Sequence, residues 1–387
     1  MTECHDDNAF THAMQILVDE GFGSIAECIT ILMNEAMVLE RQKYLNVGPY
    51  ERHEDRRSYA NGFKAKSVQT RIGALHLRVP QTRDSGFYPS SLEKGIRSER
   101  ALKLALAEMY VQGVSTRRVA KITEELCGFE VTSTQVSRAA SELDRVLDEW
   151  RERPLNRAYP YLYIDARYEK VRHGGHVVDC AVLVALAVDE FGHREILGTS
   201  VALSEQEAHW RGFLSQLTQR GLHGVRLIIS DAHEGLNAAR RAVFPSIPWQ
   251  RCQFHLQQNA QSYIPSQRLK QSVASEIRSI FNAPDDEDAK RLLDKFIEGH
   301  CQNAPKLSKW AESALPEGFT FFKFPDDHRK RIRTSNVLER VNEEVKRRTR
   351  VARIFPNEKS CLRLVTAVLM EISEEWQSGK RYLKITT

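Results

Sequence analysis

The sequence predicts an α/β protein: a mixed five-stranded sheet with an inserted all-α subdomain, preceded by a mostly α-helical N-terminal region. Three observations carry that expectation. Between residues 161 and 254, apolar and β-branched runs follow the order strand, strand, strand, helix, strand, helix, strand. Residues 259–323 have an almost wholly helical pattern. Before residue 154 the pattern is helical except for one polar, basic stretch.

A chain of 387 residues can hold two or three domains with a sizeable core. Charged residues at 28% and hydrophobic ones at 41% fit a soluble globular protein. The net charge of +5 is modest, but its placement is uneven. From Arg329 to Arg353 there are ten Lys or Arg against three Glu, which suits an anionic polymer better than a small ligand. The N-terminus is polar and acidic, unlike a signal peptide. The longest apolar run, 180–188, falls far short of the roughly 20 residues that span a bilayer. Seven scattered cysteines, an odd number, favour reduced thiols in the cytoplasm, and a DNA partner would make the protein nucleoid-associated.

Taken in order, residues 8–45 read as helical, with Ser24 and Glu27 as a capping box after the Gly21–Gly23 break. Ile25, Cys28, Ile29, Leu32, Ala36 and Leu39 then form one apolar face, either a core stripe or a dimer contact. In residues 50–100, Val68, Thr70 and Ile72 alternate with polar residues, as do Leu75, Leu77 and Val79. Gly73-Ala74 supplies the expected hairpin turn. Lys64, Lys66, Arg71, Arg78 and Arg83 decorate this ribbon, as ordinary surface charge or as a phosphate-tracking arm.

Residues 99–150 are helical again. Ser115 opens a helix that carries Arg117, Arg118 and Lys121 and ends near Gly128. Thr132 and Gln135 form a second capping box, and Val136, Ala139, Ala140 and Leu143 lie on one side of the helix they start. Two capped helices across a short turn fit a helix-turn-helix, with Ser133, Thr134, Gln135 and Arg138 where base contacts are made. A plain helical hairpin is the alternative.

Pro154 marks the next boundary. Strands are expected at 161–164, 177–188, 195–203, 225–230 and 249–254, with helices at 205–220 and 234–243. Short connections make the first three strands an antiparallel meander. The helix before the fourth permits parallel pairing with the first, which brings Asp165 and Asp231 side by side. Glu339 follows Asp231 by 108 positions, more than the sheet needs, so the interval holds an inserted helical subdomain.

Three carboxylates from three elements can hold divalent cations among phosphates. Magnesium takes oxygen ligands and keeps sites for water and phosphate; two such ions activate a nucleophile and stabilise a leaving oxygen. Arg340, Lys346, Arg347 and Arg348 lie beside Glu339 and can neutralise phosphates. Each acid also has a plain reading. Asp165 can be a buried structural residue, Asp231 the cap of the following helix, and Glu339 a capping-box partner of Asn336. Glu343 and Glu344 rival Glu339, and Glu343 shares its helix face. Cys252 and His255 fit half a zinc site, completed in principle by His300 and Cys301, or support for the active-site floor.

The residues also resemble a known family. Tyr163-Ile164-Asp165-Ala166-Arg167, Ser230-Asp231-Ala232-His233, Cys252-Gln253-Phe254-His255 and Arg333-Thr334-Ser335-Asn336-Val337-Leu338-Glu339-Arg340 are similar to motifs of the mutator-type transposases of bacterial insertion sequences. The resemblance runs nearly full length. It implies an RNase H-like core with a helical insertion before the last acid, and assigns the catalytic triad to Asp165, Asp231 and Glu339. It also implies a Mg²⁺ cofactor, for which Mn²⁺ can substitute, cleavage at inverted-repeat ends, and joining of the freed 3′-hydroxyl to target DNA. A homodimer or larger assembly on DNA is expected.

The expected domains are 1–48 (helical), 49–100 (basic hairpin), 101–153 (helix-turn-helix), 154–257 (first part of the core), 258–325 (helical insertion) and 326–387 (last part of the core). The alternatives are a metal-dependent nuclease without strand transfer and a catalytically silent DNA-binding regulator.

Overall fold

The computed structural model describes residues 9–47, 51, 53–92, 94 and 98–385. It divides into two units, Met1–Glu142 and Leu143–Thr387.

In the first unit, α1 (Ala9–Glu20) and α2 (Ile25–Leu45) meet at a 3-10 turn, Gly21–Ser24. Residue 8, the expected start of the pattern, lies outside the described residues. The expected capping box at Ser24 does not form. Ser24 has ψ near 5° instead of the extended value an N-cap needs, and its hydroxyl donates back to Gly21 O at 2.8 Å. The buried stripe of α2 is also turned from the expected one. Ala26, Ile29, Met33 and Met37 pack on the hairpin, while Leu32 and Leu39 are exposed.

The hairpin joins β1 (Ala60–Thr70) to β2 (Gly73–Thr82), with Thr70 opposite Gly73. Its turn therefore falls on Arg71 and Ile72, earlier than Gly73-Ala74. Gly73 opens the second strand at φ 125°, where a side chain would be strained. Next come α3 (Arg100–Val111), α4 (Thr116–Cys127) and α5 (Ser133–Ser141), around Leu102, Leu106, Val119, Val131 and Val136. Ser115 accepts the first α4 cap bond, and Gly128 ends that helix at φ 70°. At Thr132 both capping-box bonds form: the hydroxyl accepts from Gln135 N–H at 3.3 Å, and Gln135 Oε1 accepts from Thr132 N–H at 2.7 Å.

The second unit begins with α6 (Asp144–Glu152) and then builds one sheet. Its strands and crossover helices are β3 (Tyr161–His173), β4 (His176–Val188), β5 (Arg194–Ala202), α7 (Glu207–Gln219), β6 (Leu227–Ser230), α8 (Glu234–Val243) and β7 (Trp249–Arg251). The strand order is β5-β4-β3-β6-β7. The first three strands are antiparallel, and β6 lies parallel to both β3 and β7. The run 180–188 is buried throughout, as a strand covered on both faces must be. On one face Trp210, Phe213, Leu214 and Leu217 of α7 close the core, each burial worth roughly 1.5–3 kcal/mol.

The last strand stops at Arg251, and α9 (Gln253–Ala260) starts at once, so Phe254 and His255 are helical where a strand was expected. The insertion continues through α10 (Lys270–Phe281), α11 (Asp286–His300) and α12 (Pro305–Ala314). Three helices follow: α13 (Asp326–Ile332), α14 (Asn336–Thr349) and α15 (Glu358–Ser378). Arg363 of α15 holds Asp144 of α6 through two bonds of 2.6 and 2.8 Å, which ties α6 to this unit. No helix among the described residues is long and apolar enough to cross a membrane.

Candidate active site

The parallel register of β3 and β6 sets the first two acids. Tyr161 pairs with Leu227, Leu162 with Ile228 and Tyr163 with Ile229. Two residues further along that register, Asp165 stands beside Asp231, the residue directly after β6. Cys252 directly follows β7, and His255 lies in the first turn of α9. Glu339 lies in the first turn of α14. Ligand atoms of Cys252, His255 and Glu339 fall within 4.8 Å of one another.

His255 is the cation in the middle. Its interaction with the Cys252 thiol raises its pKa to about 9; burial opposes this, and Asp231 and Asp165 reinforce it. Burial alone would raise the Cys252 thiol, but His255 and Ser335 bring it below its ordinary value. Ser335 N–H and Oγ both donate to Cys252 Sγ, at 3.3 and 3.2 Å. His300 and Cys301 take no part in this cluster. His300 lies 3.0 Å from Glu276, and the Cys301 thiol bonds Glu298 O.

The Asp165 carboxyl is strongly perturbed. Burial pushes its carboxyl up to about 6, with His255 and the Ala166 N–H opposing and Asp231 and Glu205 adding to the rise. Its Oδ2 accepts from Asn342 Nδ2 at 2.9 Å. The Asn342 carbonyl accepts from Arg167, and Thr349 Oγ1 donates to Glu169 at 2.8 Å. These contacts lock α14 against β3, with Glu339 one turn before Asn342.

Asp231 does not cap α8, whose N-cap makes no side-chain bond. Its Oδ1 accepts the Ala232 N–H at 2.7 Å and lies 4.0 Å from Arg251 Nε. Glu339 is not a capping-box residue either, because Asn336 already lies inside the helix. Burial raises its carboxyl, His255 opposes, and Glu343 adds to the rise. Glu343 itself is exposed, and Glu344 is bonded to Arg347 and Arg348.

Two contributors were given no role by the sequence reading. Asn342 orients Asp165, and Glu205 adds a fourth carboxylate, 3.4 Å from His233. A Cβ on Gly235 would lie 2.3 Å from Glu205 O, so only glycine lets α8 close on this loop. Glu205 sits in no motif; only the tertiary approach reveals it.

The basic residues differ in how far they are committed. Arg340 and Lys346 are exposed and make no ion pair among the described residues. Arg347 pairs with Glu344 at 2.7 Å. Arg348 is buried against Glu344 and Glu371, so its charge is neutralised inside the fold. In the first unit Arg117, Arg118, Ser133, Thr134 and Arg138 are exposed. Lys121 lies 3.9 Å from Glu125, and Gln135 is engaged by Thr132 and Gln69. Lys64 is exposed, Lys66 bonds Tyr88 and Arg71 pairs with Glu99.

Sequence comparison places this architecture in a family. A family model described as "Transposase, Mutator family" matches residues 1–379. A transposase for insertion sequence element IS406 from Burkholderia multivorans is 56% identical, over 98% of both chains. A transposase for element ISRM5 from Rhizobium meliloti is 40% identical over 100% of this chain and 96% of that one. The transposase for IS256 in transposon Tn4001 from Staphylococcus aureus is 39% identical over 92% of each. A solved Mos1 transposase paired-end complex with left transposon end overlaps 60% of this chain and 82% of that one. Its identity is 10% and its TM-score 0.16, too slight to bear on the fold. The protein is a transposase, and the chain belongs to the Mutator family.

Proposed function

We propose that this transposase cleaves DNA at the ends of its insertion sequence and joins the freed ends to target DNA, using Asp165, Asp231 and Glu339 as one acidic centre. The observation that carries this reading is the convergence of acids from β3, the end of β6 and α14 on His255. Buried oxygens there lack partners: Glu339 Oε1 and Asn342 Oδ1. Such groups cost about 1–3 kcal/mol each when unsatisfied, and with the acids they form a donor set that fits a divalent cation. Asp165, Asp231 and Glu339 would hold Mg²⁺ or Mn²⁺, which supplies charge stabilisation and an acidified water for phosphoryl transfer.

The chain's own groups do the rest. Asn342 fixes the direction of the Asp165 carboxylate. Imidazolium His255 keeps the clustered carboxylates compatible, and Cys252 and Ser335 hold it in place. Arg340 and Lys346 offer charge to flanking phosphates. Cleavage by water breaks a P–O3′ bond and frees a 3′-hydroxyl; that hydroxyl then attacks a target phosphate, forming a new P–O bond as the target's own P–O3′ bond breaks and its 3′-oxygen leaves as a hydroxyl. The sheet order and the late acid support an RNase H-like core. In the first unit, α4 and α5 suit a helix-turn-helix. There Arg117, Arg118, Lys121, Ser133, Thr134 and Arg138 face the end sequence, while Lys64, Lys66 and Arg71 of the hairpin suit backbone contacts. Exposed Met14, Val18 and Phe22, at helical spacing, suit packing against a second copy.

The test is strand transfer with a duplex carrying the element's own end, a supercoiled target, and Mg²⁺ or no metal. Joined product only with metal is expected. Cleavage without joining would replace this reading with a nuclease, and end binding without cleavage in Mg²⁺ or Mn²⁺ would replace it with a regulator.

A further inference from the structure

The helical insertion carries an unusual face on α10. Gln271, Ser272, Ser275, Arg278 and Ser279 are exposed, while Val273, Ile277, Ile280 and Phe281 are buried. The one acid of this helix, Glu276, is engaged by His300 at 3.0 Å. Among the described residues, neither Arg278 nor Arg268, just before the helix, makes an ion pair or a side-chain hydrogen bond. The neighbouring α11 behaves differently: Lys290 pairs with Asp286 and Arg291 with Asp288, each at 2.6 Å. One helix neutralises its own charge; the other leaves guanidiniums among neutral serine and glutamine donors.

That face is concave. A cavity of about 610 Å³ is lined by Arg268, Gln271, Ser275 and Arg278. A second, of about 200 Å³, is lined by Arg278, Gln257, Phe254, Arg333 and Asn336. Arg278 borders both. The second cavity borders the acidic centre through Phe254, whose ring centroid lies 5.7 Å from that of His255, and through Asn336, one turn before Glu339. Gln253 N–H donates to Arg333 O at 3.0 Å, and Arg333 is steadied by Asn282 Oδ1 at 2.8 Å. The Phe254 ring, 40% exposed, is an apolar plate beside the polar side chains of this cavity.

We infer that this face is a track for a DNA strand entering or leaving the acidic centre. Arg268, Arg278 and Arg333 take phosphates, and Phe254 offers a stacking face to the base nearest the acids. The segment from Arg268, just before α10, to Arg278 rises roughly 15 Å, the axial length of about four nucleotides of one strand. A polyanion explains the spacing, the absence of carboxylate on the face and the neutral donors between the arginines. A compact apolar ligand explains none of them. The inference rests on the proposed function, because it takes the acids as the end of the track.

The experiment measures how end-duplex binding by the full chain depends on salt, in EDTA, for wild type, Arg268→Ala/Arg278→Ala and Arg268→Gln/Arg278→Gln. Lys290→Ala/Arg291→Ala on α11 is the control. Removing two phosphate contacts makes the slope of log K against log salt shallower by about 1.4–1.8. Both α10 variants should show that change and the control none. A wild-type slope in the α10 variants would overturn the track. Wild-type cleavage in Mg²⁺ is assayed beside it. If wild type binds but does not cleave, the proposed chemistry fails; if it cleaves and the slopes match, only the track fails.

Discussion

Along α14, Arg347 and Arg348 both reach Glu344, and Arg348 also holds Glu371 of α15 through bonds of 2.9 and 3.1 Å. Along α10, Arg278 reaches no carboxylate among the described residues, and the helix's one acid faces away to His300. In the sequence α14 looks the more basic helix and the better DNA contact. In the fold its densest charge is a brace between two helices, and the sparser charge of α10 stays available. What matters for an anionic partner is unneutralised charge at a surface, and that depends on residues far away in the chain.

Four tests, using five substitutions, separate the roles within this comparison. The largest effect is expected at the acidic end of α14. Glu339→Gln should lower strand cleavage by more than about 100-fold, beyond the usual range for outer-shell partners of a metal site, and leave end binding near wild type in a gel-shift assay. Loss of binding as well would make Glu339 a folding residue.

At the other end of the helix, Arg348→Ala strands Glu371 and Glu344. It should cost about 1–3 kcal/mol in urea unfolding, while the exposed Arg347→Ala costs under about 1 kcal/mol. If Arg348→Ala instead left stability unchanged and weakened DNA binding, the two helices would be alike.

The third change reads pH. With its carboxyl raised to about 6 against about 3.9 unfolded, Asp165 binds more proton in the folded state between those values. Without metal, its contribution to stability falls as pH rises through that window, by on the order of 3 kcal/mol at pH 7. Asp165→Asn should therefore be more stable than wild type in EDTA at pH 7 and close to it at pH 4, and Mg²⁺ should stabilise only wild type. Parallel melting curves for the two proteins would expose the idea as wrong. The smallest effect is expected at Asn342→Ala, where losing the bond to Asp165 should cost about 10–100-fold in activity or apparent Mg²⁺ affinity. An unchanged Mg²⁺ requirement would remove Asn342 from a positioning role.

Much of the sheet was legible because strand order and connection length leave few ways to pair the strands. The apolar run 180–188 could be placed only where both faces are covered. Caps were legible only where the backbone cooperated. Thr132, at ψ 154°, completes its box; Ser24 and Ser335, at ψ 5° and 19°, make no cap bond although the residue types fit. The hairpin turn was misplaced because Gly73 serves the first strand position after the turn instead of the turn itself. Of the site, the strand-borne acids were readable from pattern. Glu205 was not, because its approach depends on the missing side chain at Gly235. The neutralisation of Arg348 was hidden too, since its partner Glu371 lies 23 residues away on another helix.

The central claim is that Asp165, Asp231 and Glu339 act as one centre. The direct measurement is Mg²⁺-dependent strand transfer by wild type, Asp165→Asn, Asp231→Asn and Glu339→Gln, with end binding measured on the same preparations. Joined product from wild type alone, with all four proteins binding the end duplex, is the predicted result. Joining at near wild-type rates by any one of the three variants would contradict it.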